Sequence, residues 1–327
     1  MGRRVWSDPE VRELASEFVP AADEVWRLQN DPDPECVFFR EHVLGKPDPT
    51  KGTLQGTYVF SPSGKLLGRR NSNDPKAVLG FLKEMLVAWE GLDDSERKLE
   101  DPARVAQGFR WEDLYPEDGL VLRRTGRDLP ASGNPTSEQS ERFNRDAVWF
   151  SPSEMKQLVP PRLQGGSEHV LPAELARRMS CLVFVDNLRG QTIPYHPTED
   201  GGSTITMTVT AVSEDQVQLV IRGETKAASD GTWKFEPETD WVPPEKARWP
   251  HSIQTKLFGR AVYDKATKRF REFTILALGT RTGRTINNGR PTQGPSGVGF
   301  YCEIAPEDWR VAPTFIDVYG EGWARKD

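Results

Sequence analysis

The amino-acid sequence predicts an α+β chain, a small α/β part followed by an antiparallel β-barrel or β-sandwich. Three observations predict it. The run Gly56 to Trp89, GTYVFSPSGKLLGRRNSNDPKAVLGFLKEMLVAW, reads as strand, tight turn, strand and capped helix in unbroken succession. From Cys181 onward apolar residues recur at every second position, the period of a half-buried strand. The length of 327 residues exceeds what one hydrophobic core usually holds, so more than one folding part is expected.

The first helix is expected from Ser7, with Ser7 and Glu10 as a capping box and Val11, Leu14, Ala15 and Phe18 as its buried stripe. In the Gly56–Trp89 run, Thr57 to Phe60 is a strand, and Ser61-Pro-Ser-Gly64 has proline and glycine where a tight turn uses them. Lys65 to Gly68 then returns antiparallel. Asp74 supplies an N-cap oxygen and Pro75 fits the first helical position. Val78, Leu79, Leu82, Met85, Leu86 and Trp89 fall on one face of the helix that follows.

In order, these elements resemble the ending of a thioredoxin-like domain, and Trp6 to Val19 is similar to the helix that follows the redox motif in that superfamily. The resemblance covers roughly a quarter of the chain. It implies a Cys-x-x-Cys pair ahead of Trp6, where a helix N-terminus lowers a thiol's pKa. Five residues precede Trp6 and none is cysteine, while Gly56 stands where the family places proline before the "TYVF" strand. The expectation is a shortened thioredoxin-like α/β domain over residues 1–92, without dithiol chemistry and lacking its first strand. An exposed strand edge of this kind leaves room for a homo-oligomer.

Residues 93–163 break regular patterning and are expected to form a helical connector and an extended linker, pinned by Trp111, Tyr115, Trp149 and Phe150. Ser151-Pro-Ser-Glu154 caps a short helix, and Pro172 to Arg178 forms another. Residues 164–327 are the expected barrel or sandwich. Its strands are Leu182 to Val185, Ile205 to Ala211, Val217 to Ile221, Leu257 to Tyr263, Phe270 to Leu278 and Val298 to Ile304.

The net charge of −6 argues against general nucleic-acid binding, which needs a basic face. No apolar run is long enough to span a bilayer, so membrane association is not expected. Cys36, Cys181 and Cys302 are too few and too scattered for a disulfide framework. Reduced, buried thiols in a cytoplasmic protein are the expectation, although a start at Met1-Gly2 is also compatible with a leader removed upstream.

Several side chains are candidates for chemistry. Asp186, Arg189, Tyr195 and His196 follow directly on a buried run. They suit an acid–base pair (His196 as acid/base, Asp186 as its orienting partner), an anion clamp and a hydrogen-bond donor; the plainer alternative is a turn in which Asp186 pairs with Arg189. The Gly-rich stretch 279–297 carries Arg281, Arg284 and Arg290, whose guanidinium forks suit phosphate or carboxylate, but no nucleotide-binding fingerprint; the plainer alternative is a flexible hairpin with solvated arginines. Cys36 is a candidate lone redox thiol, opposed by Glu35 beside it. His42, His169, His196 and His251 lack ligand spacing, so no metal and no cofactor is expected, and a cluster of His196, Glu199, Asp200 and His251 is the one tertiary arrangement considered. Trp233, Trp241, Trp249 and Phe235 either line an apolar face or lock a loop onto the sheet. Two functions follow. The first is a non-redox binding or assembly protein taking a small molecule or a protein partner. The second is an enzyme acting on a small anionic substrate at the mouth of the β domain.

Overall fold

The computed structural model describes residues 5–6, 8–23, 25–44, 55–99, 101, 109–130, 143–190, 192–231, 249–285, 288–290 and 294–323. It divides into two compact units, Met1–Arg110 and Trp111–Asp327. Among the described residues no helix is long and apolar enough to cross a membrane.

The first unit places helix α1 (Pro9–Ala15), α2 (Val25–Asn30) and α3 (Pro34–Phe38) ahead of a hairpin, β1 (Thr57–Phe60) and β2 (Leu66–Arg70), and then α4 (Pro75–Glu90). A π-helical turn, Phe39–Leu44, continues α3. Asp8, not Ser7, caps α1: its carboxylate accepts from the Glu10 and Val11 amides at 3.0 and 3.2 Å. Pro9 at the first helical position sets that start, and Ser7 lies outside the described residues. The tight turn forms at Ser61–Gly64, where the Gly64 amide donates to the Ser61 carbonyl at 2.9 Å. Gly64 has φ +89°, and a Cβ there would sit 2.6 Å from the Cβ of His42, so both backbone and space demand glycine. Asp74 caps α4 as expected, and Val78, Phe81, Leu82 and Met85 bury against Val11 of α1, with Leu14 and Phe18 at the edge.

The second unit is α+β and is built on one eight-stranded antiparallel sheet. Its strands are β3 (Leu120–Leu129), β4 (Phe143–Phe150), β5 (Glu168–Val170), β6 (Thr204–Val212), β7 (Gln216–Ser229), β8 (His251–Asp264), β9 (Arg269–Gly283) and β10 (Ser296–Ile304). They lie in the order β4-β3-β10-β9-β8-β7-β6-β5. The expected barrel is therefore corrected to an open sheet, with β4 and β5 at its two edges; a second sheet that would make a sandwich is absent among the described residues of this unit.

Instead of a facing sheet, residues 152–158 and 171–188 cover one face. Helices α5 (Pro152–Gln157) and α6 (Ala173–Arg178), and a π-helical turn Met179–Val183 continuing α6, bury Leu158, Met179 and Phe184 against Met207, Leu219, Ile221 and Phe300. Each such fully buried side chain contributes about 1.5–3 kcal/mol. The Ser151/Glu154 capping box forms as read. The expected strand at Leu182 to Val185 is instead this π-turn and its exit. A short, wholly apolar run carries no period and suits a buried helix equally well.

The expected connector and linker over 93–163 contains β3, β4 and α5. Two features hid the strands. Arg124 and Asp128 occupy inward positions of β3 as buried charges, so the alternation there is not apolar against polar. β4 is buried on both faces: Val148 and Phe150 join the main core, while Trp149 is enclosed on the other side by Tyr115, Trp323 and Ile316. A strand covered twice loses its period of two.

Candidate functional site

The two ends of the sheet differ. At one end β6 and β7 are joined by residues 213–215, and β8 and β9 by residues 265–268. At the other end the connections are 130–142, 230–250 and 284–295. Register places the strand ends that flank them side by side, since Leu129 pairs with Gly297, Gly297 with Thr280, and Thr280 with Gln254. Binding residues concentrate on loops carried by such a rigid frame.

At the long-loop end the covered face turns from apolar to charged. Asp128 on β3, His251 at the start of β8 and Arg281 near the end of β9 are all buried and point toward the segment after the π-turn. That segment brings Asp186 and Arg189, and the β9–β10 connection brings Asn288 and Arg290. Arg290 is the hub. Its Nε donates to Asp186 Oδ2 at 2.8 Å, its Nη2 also donates to Asp186, and its Nη1 donates to Asp128 Oδ1 at 2.7 Å. Arg189 Nε donates to the other Asp128 oxygen at 2.7 Å. Arg281 stands 3.8 Å from Asp186 and donates to Ser296 Oγ and the Gly283 carbonyl, both at 2.7 Å. Gly283, at φ +78°, lets β9 end there against the backbone of Pro250.

A second buried arginine fixes the base of this arrangement. Arg124 donates to the Val183 carbonyl at 2.9 Å and to Asn187 Oδ1 at 3.0 Å, and it faces Asp146 at 3.4 Å. These bonds hold the crossing segment on the sheet. An unmatched polar group there would cost about 1–3 kcal/mol.

The ion pairs of the cluster run between guanidinium groups and two buried carboxylates. Three guanidinium groups, Arg189, Arg281 and Arg290, share two carboxylates, Asp128 and Asp186. Burial pulls Arg290 down, but the hydrogen bonds and charge of Asp186 and Asp128 hold it above its ordinary value. Arg281 falls below its ordinary value through burial and through the neighbouring charge of Arg290. A fourth guanidinium, Arg284, lies 3.9 Å from the ring centroid of Trp249.

Tyr195 and His251 stack beside the cluster with ring centroids 5.1 Å apart. Burial, with Asp186 nearby, drives the Tyr195 hydroxyl well above its usual range, so it stays a proton donor. Burial depresses His251. Its Nδ1 faces the Trp249 carbonyl at 3.1 Å, which places the proton on Nδ1 and the lone pair on Nε2.

Of the residues expected from sequence, Asp186, Arg189 and Arg281 come together, with Tyr195 adjacent and Arg284 on Trp249. The expected Asp186–His196 pair does not form. Asp186 is committed to Arg290, whereas His196 caps a short turn, its Nδ1 accepting from the Thr198 amide and its own amide donating to Glu199. The Asp186–Arg189 turn pair is likewise replaced, by Asp186–Arg290 and Asp128–Arg189. Asp200 is taken up by Ser180 at 2.6 Å and by Ser203, not by the two histidines. Trp233, Phe235 and Trp241 lie outside the described residues. Missing from the expectation were Asp128, Asn288, the hub role of Arg290 and the place of His251. Asp128 was legible only to a reading that had found β3.

Cys36 lies in the other unit. It is fully buried, and burial pushes its thiol up, against the direction a reactive thiol requires. Asp33, Glu35 and Cys36 bring their ligand atoms within 4.8 Å of one another. The carboxylates there are held by arginines: Arg27 on Asp33 at 2.8 Å, and Arg110 on Glu35 at 2.7 Å.

A scan against protein-family models finds no match to this chain, and searches of curated proteins and of solved structures find none either.

Proposed function

We propose that this chain is a non-redox binding protein whose second unit holds a small anionic ligand, a phosphate or carboxylate, at the long-loop end of its sheet. One observation carries the proposal: two buried guanidinium groups, Arg281 and Arg290, and the half-buried Arg189 stand against two carboxylates at this end of the sheet. Guanidinium forks pair with phosphate or carboxylate oxygens, and burial strengthens such charge-assisted hydrogen bonds. Arg281 on β9 and Arg284 just beyond it are the groups such an anion would meet. The first unit serves as a thioredoxin-like scaffold. Its hairpin and capped helix support that assignment, and the buried, raised thiol of Cys36 fits a role outside thiol chemistry.

An enzymatic reading centres on His251 rather than His196, because His251 presents a neutral ring beside Tyr195 within the field of Asp186. Binding is the simpler function and is tested first. Thermal unfolding is followed with inorganic phosphate, sulfate or citrate against chloride at matched ionic strength. A ligand at about ten times its Kd stabilises by about 1.4 kcal/mol. The expected result is a saturable rise for one of the polyvalent anions that Arg284→Gln removes without lowering the baseline. Equal behaviour of all four salts refutes the proposal.

A further inference from the structure

We infer that the open part of the second face of the eight-stranded sheet, centred on β8, β9 and β10 beside the cover over Trp149, is a docking surface for an amphipathic helix with acidic flanks, supplied by a protein partner. The register defines the surface row by row. One row runs Arg222, Phe258, Leu276, Tyr301, Thr125, Arg145 across β7, β8, β9, β10, β3 and β4. The next runs Glu224, Lys256, Leu278, Gly299, Arg127, Phe143, and the row on the other side runs Val220, Arg260, Thr274, Glu303, Arg123 and stops at Ala147, which is buried in the cluster of Trp149 and Trp323. At the centre, Phe258, Leu276, Leu278 and Tyr301 are each about 40% exposed on neighbouring strands. Apolar residues exposed singly need no explanation, but four contiguous ones on a flat face do. Gly299 adds a shallow floor beside them: a Cβ there would touch both Leu129 and Leu278, so these two leucines converge over it and extend the apolar area.

Charge identifies the partner. The three rows hold six basic residues, Arg222, Arg145, Lys256, Arg127, Arg260 and Arg123, against two acidic ones, Glu224 and Glu303, in a chain whose net charge is −6. Glu303 is already paired with Arg123. The rim is thus basic around an apolar centre, which selects an occupant with an apolar stripe between acidic flanks. A second copy meeting this face with its own is disfavoured, because like charges would oppose one another. Single-stranded nucleic acid fits less well. Its bases need open aromatic faces, whereas Phe258 already has the Arg222 guanidinium 5.6 Å from its ring centroid, and leucines hold the centre.

The test uses the full chain and a labelled synthetic peptide of about 20 residues, helical, with leucines along one stripe and glutamates elsewhere. A matched peptide with lysines for glutamates and an oligo-dT strand of about 20 nucleotides are the comparisons. Fluorescence anisotropy is expected to show binding of the glutamate peptide, weakened by salt. Leu276→Gln should weaken it about tenfold through lost apolar burial, and Lys256→Glu with Arg260→Glu at least as much. These side chains are exposed, so circular dichroism melts should match wild type. The inference is overturned if the glutamate peptide fails to bind, binds no better than the lysine peptide, or ignores Leu276→Gln. It is also overturned if oligo-dT binds more tightly at this face, or if sedimentation shows a dimer that Leu276→Gln dissociates.

Discussion

Replacing Arg290 by methionine, which keeps the aliphatic bulk and removes the guanidinium, probes the long-loop site most sharply. Arg290 donates to both Asp186 oxygens and to Asp128, and all three side chains are buried. Removing one partner of a buried ion pair costs about 3–5 kcal/mol, because the remaining charge keeps its desolvation penalty. Here the loss is partly cushioned. Asp128 retains Arg189 at 2.7 Å, and Asp186 retains Asn288 at 3.4 Å and Arg281 at 3.8 Å. The expected cost is therefore at the lower end, about 3 kcal/mol, or roughly a 10 °C fall in Tm for a unit of this size. Urea unfolding followed by tryptophan fluorescence measures it as a fall in midpoint, with the slope unchanged. The double variant Arg290→Met, Asp186→Leu should recover more than half of the loss, since an apolar pair of similar volume replaces a buried ion pair at little net cost. A single variant within about 1 kcal/mol of wild type, or a double variant worse than the single, would falsify the claim that these charges are buried and mutually dependent.

Two further outcomes follow from buried titratable groups. His251 is depressed from its ordinary 6.5 by burial, so below that pH the unfolded chain takes up a proton that the folded chain does not. Stability contributed by this group is complete above about pH 6.5 and is lost as pH falls below it, by at most about 1.4 kcal/mol per unit; urea midpoints from pH 7.5 to 5.5 should decline less in His251→Gln. The three thiols are all buried. Burial raises Cys36 and pushes Cys181 and Cys302 up to about 11 and about 12, so a thiol reagent at pH 8 should label none of them in the folded protein and all three in denaturant. Rapid labelling of native Cys36 would revive a redox role.

Legibility in the sequence followed periodicity. Strands β6 to β10 and the hairpin with α4 show alternation, turn chemistry or a capped stripe and were found by it, although β7 runs on to Ser229, β8 begins at His251 and β9 runs on to Gly283, past the stretches 217–221, 257–263 and 270–278 that alternation marks. β3 and β4 did not show it, because Arg124, Asp128 and Asp146 are inward charges whose partners, Asn187, Arg189 and Arg290, come from distant segments. The π-turn at Met179–Val183 was invisible because a short apolar run does not distinguish helix from strand. For the same reason the site was half legible. Asp186 and Arg189 stand out as polar residues after a buried run, and Arg281 reads as a loop residue although it belongs to β9, but which carboxylate meets which guanidinium is decided by tertiary packing. His196 was misjudged because Pro197 and Thr198 make it a local cap, a short-range use of histidine that the acid–base pattern does not reveal.

Arginine side-chain Nε–Hε NMR during titration with inorganic phosphate, repeated with citrate, separates a built anion site from general ion screening. The resonances of Arg189, Arg281, Arg284 and Arg290 are expected to move together and saturate with one of these anions, while exposed arginines such as Arg269 and Arg271 stay still. Resonances that remain fixed with both, or a uniform drift that includes Arg269 and Arg271, would contradict a built anion site at the long-loop end of the sheet.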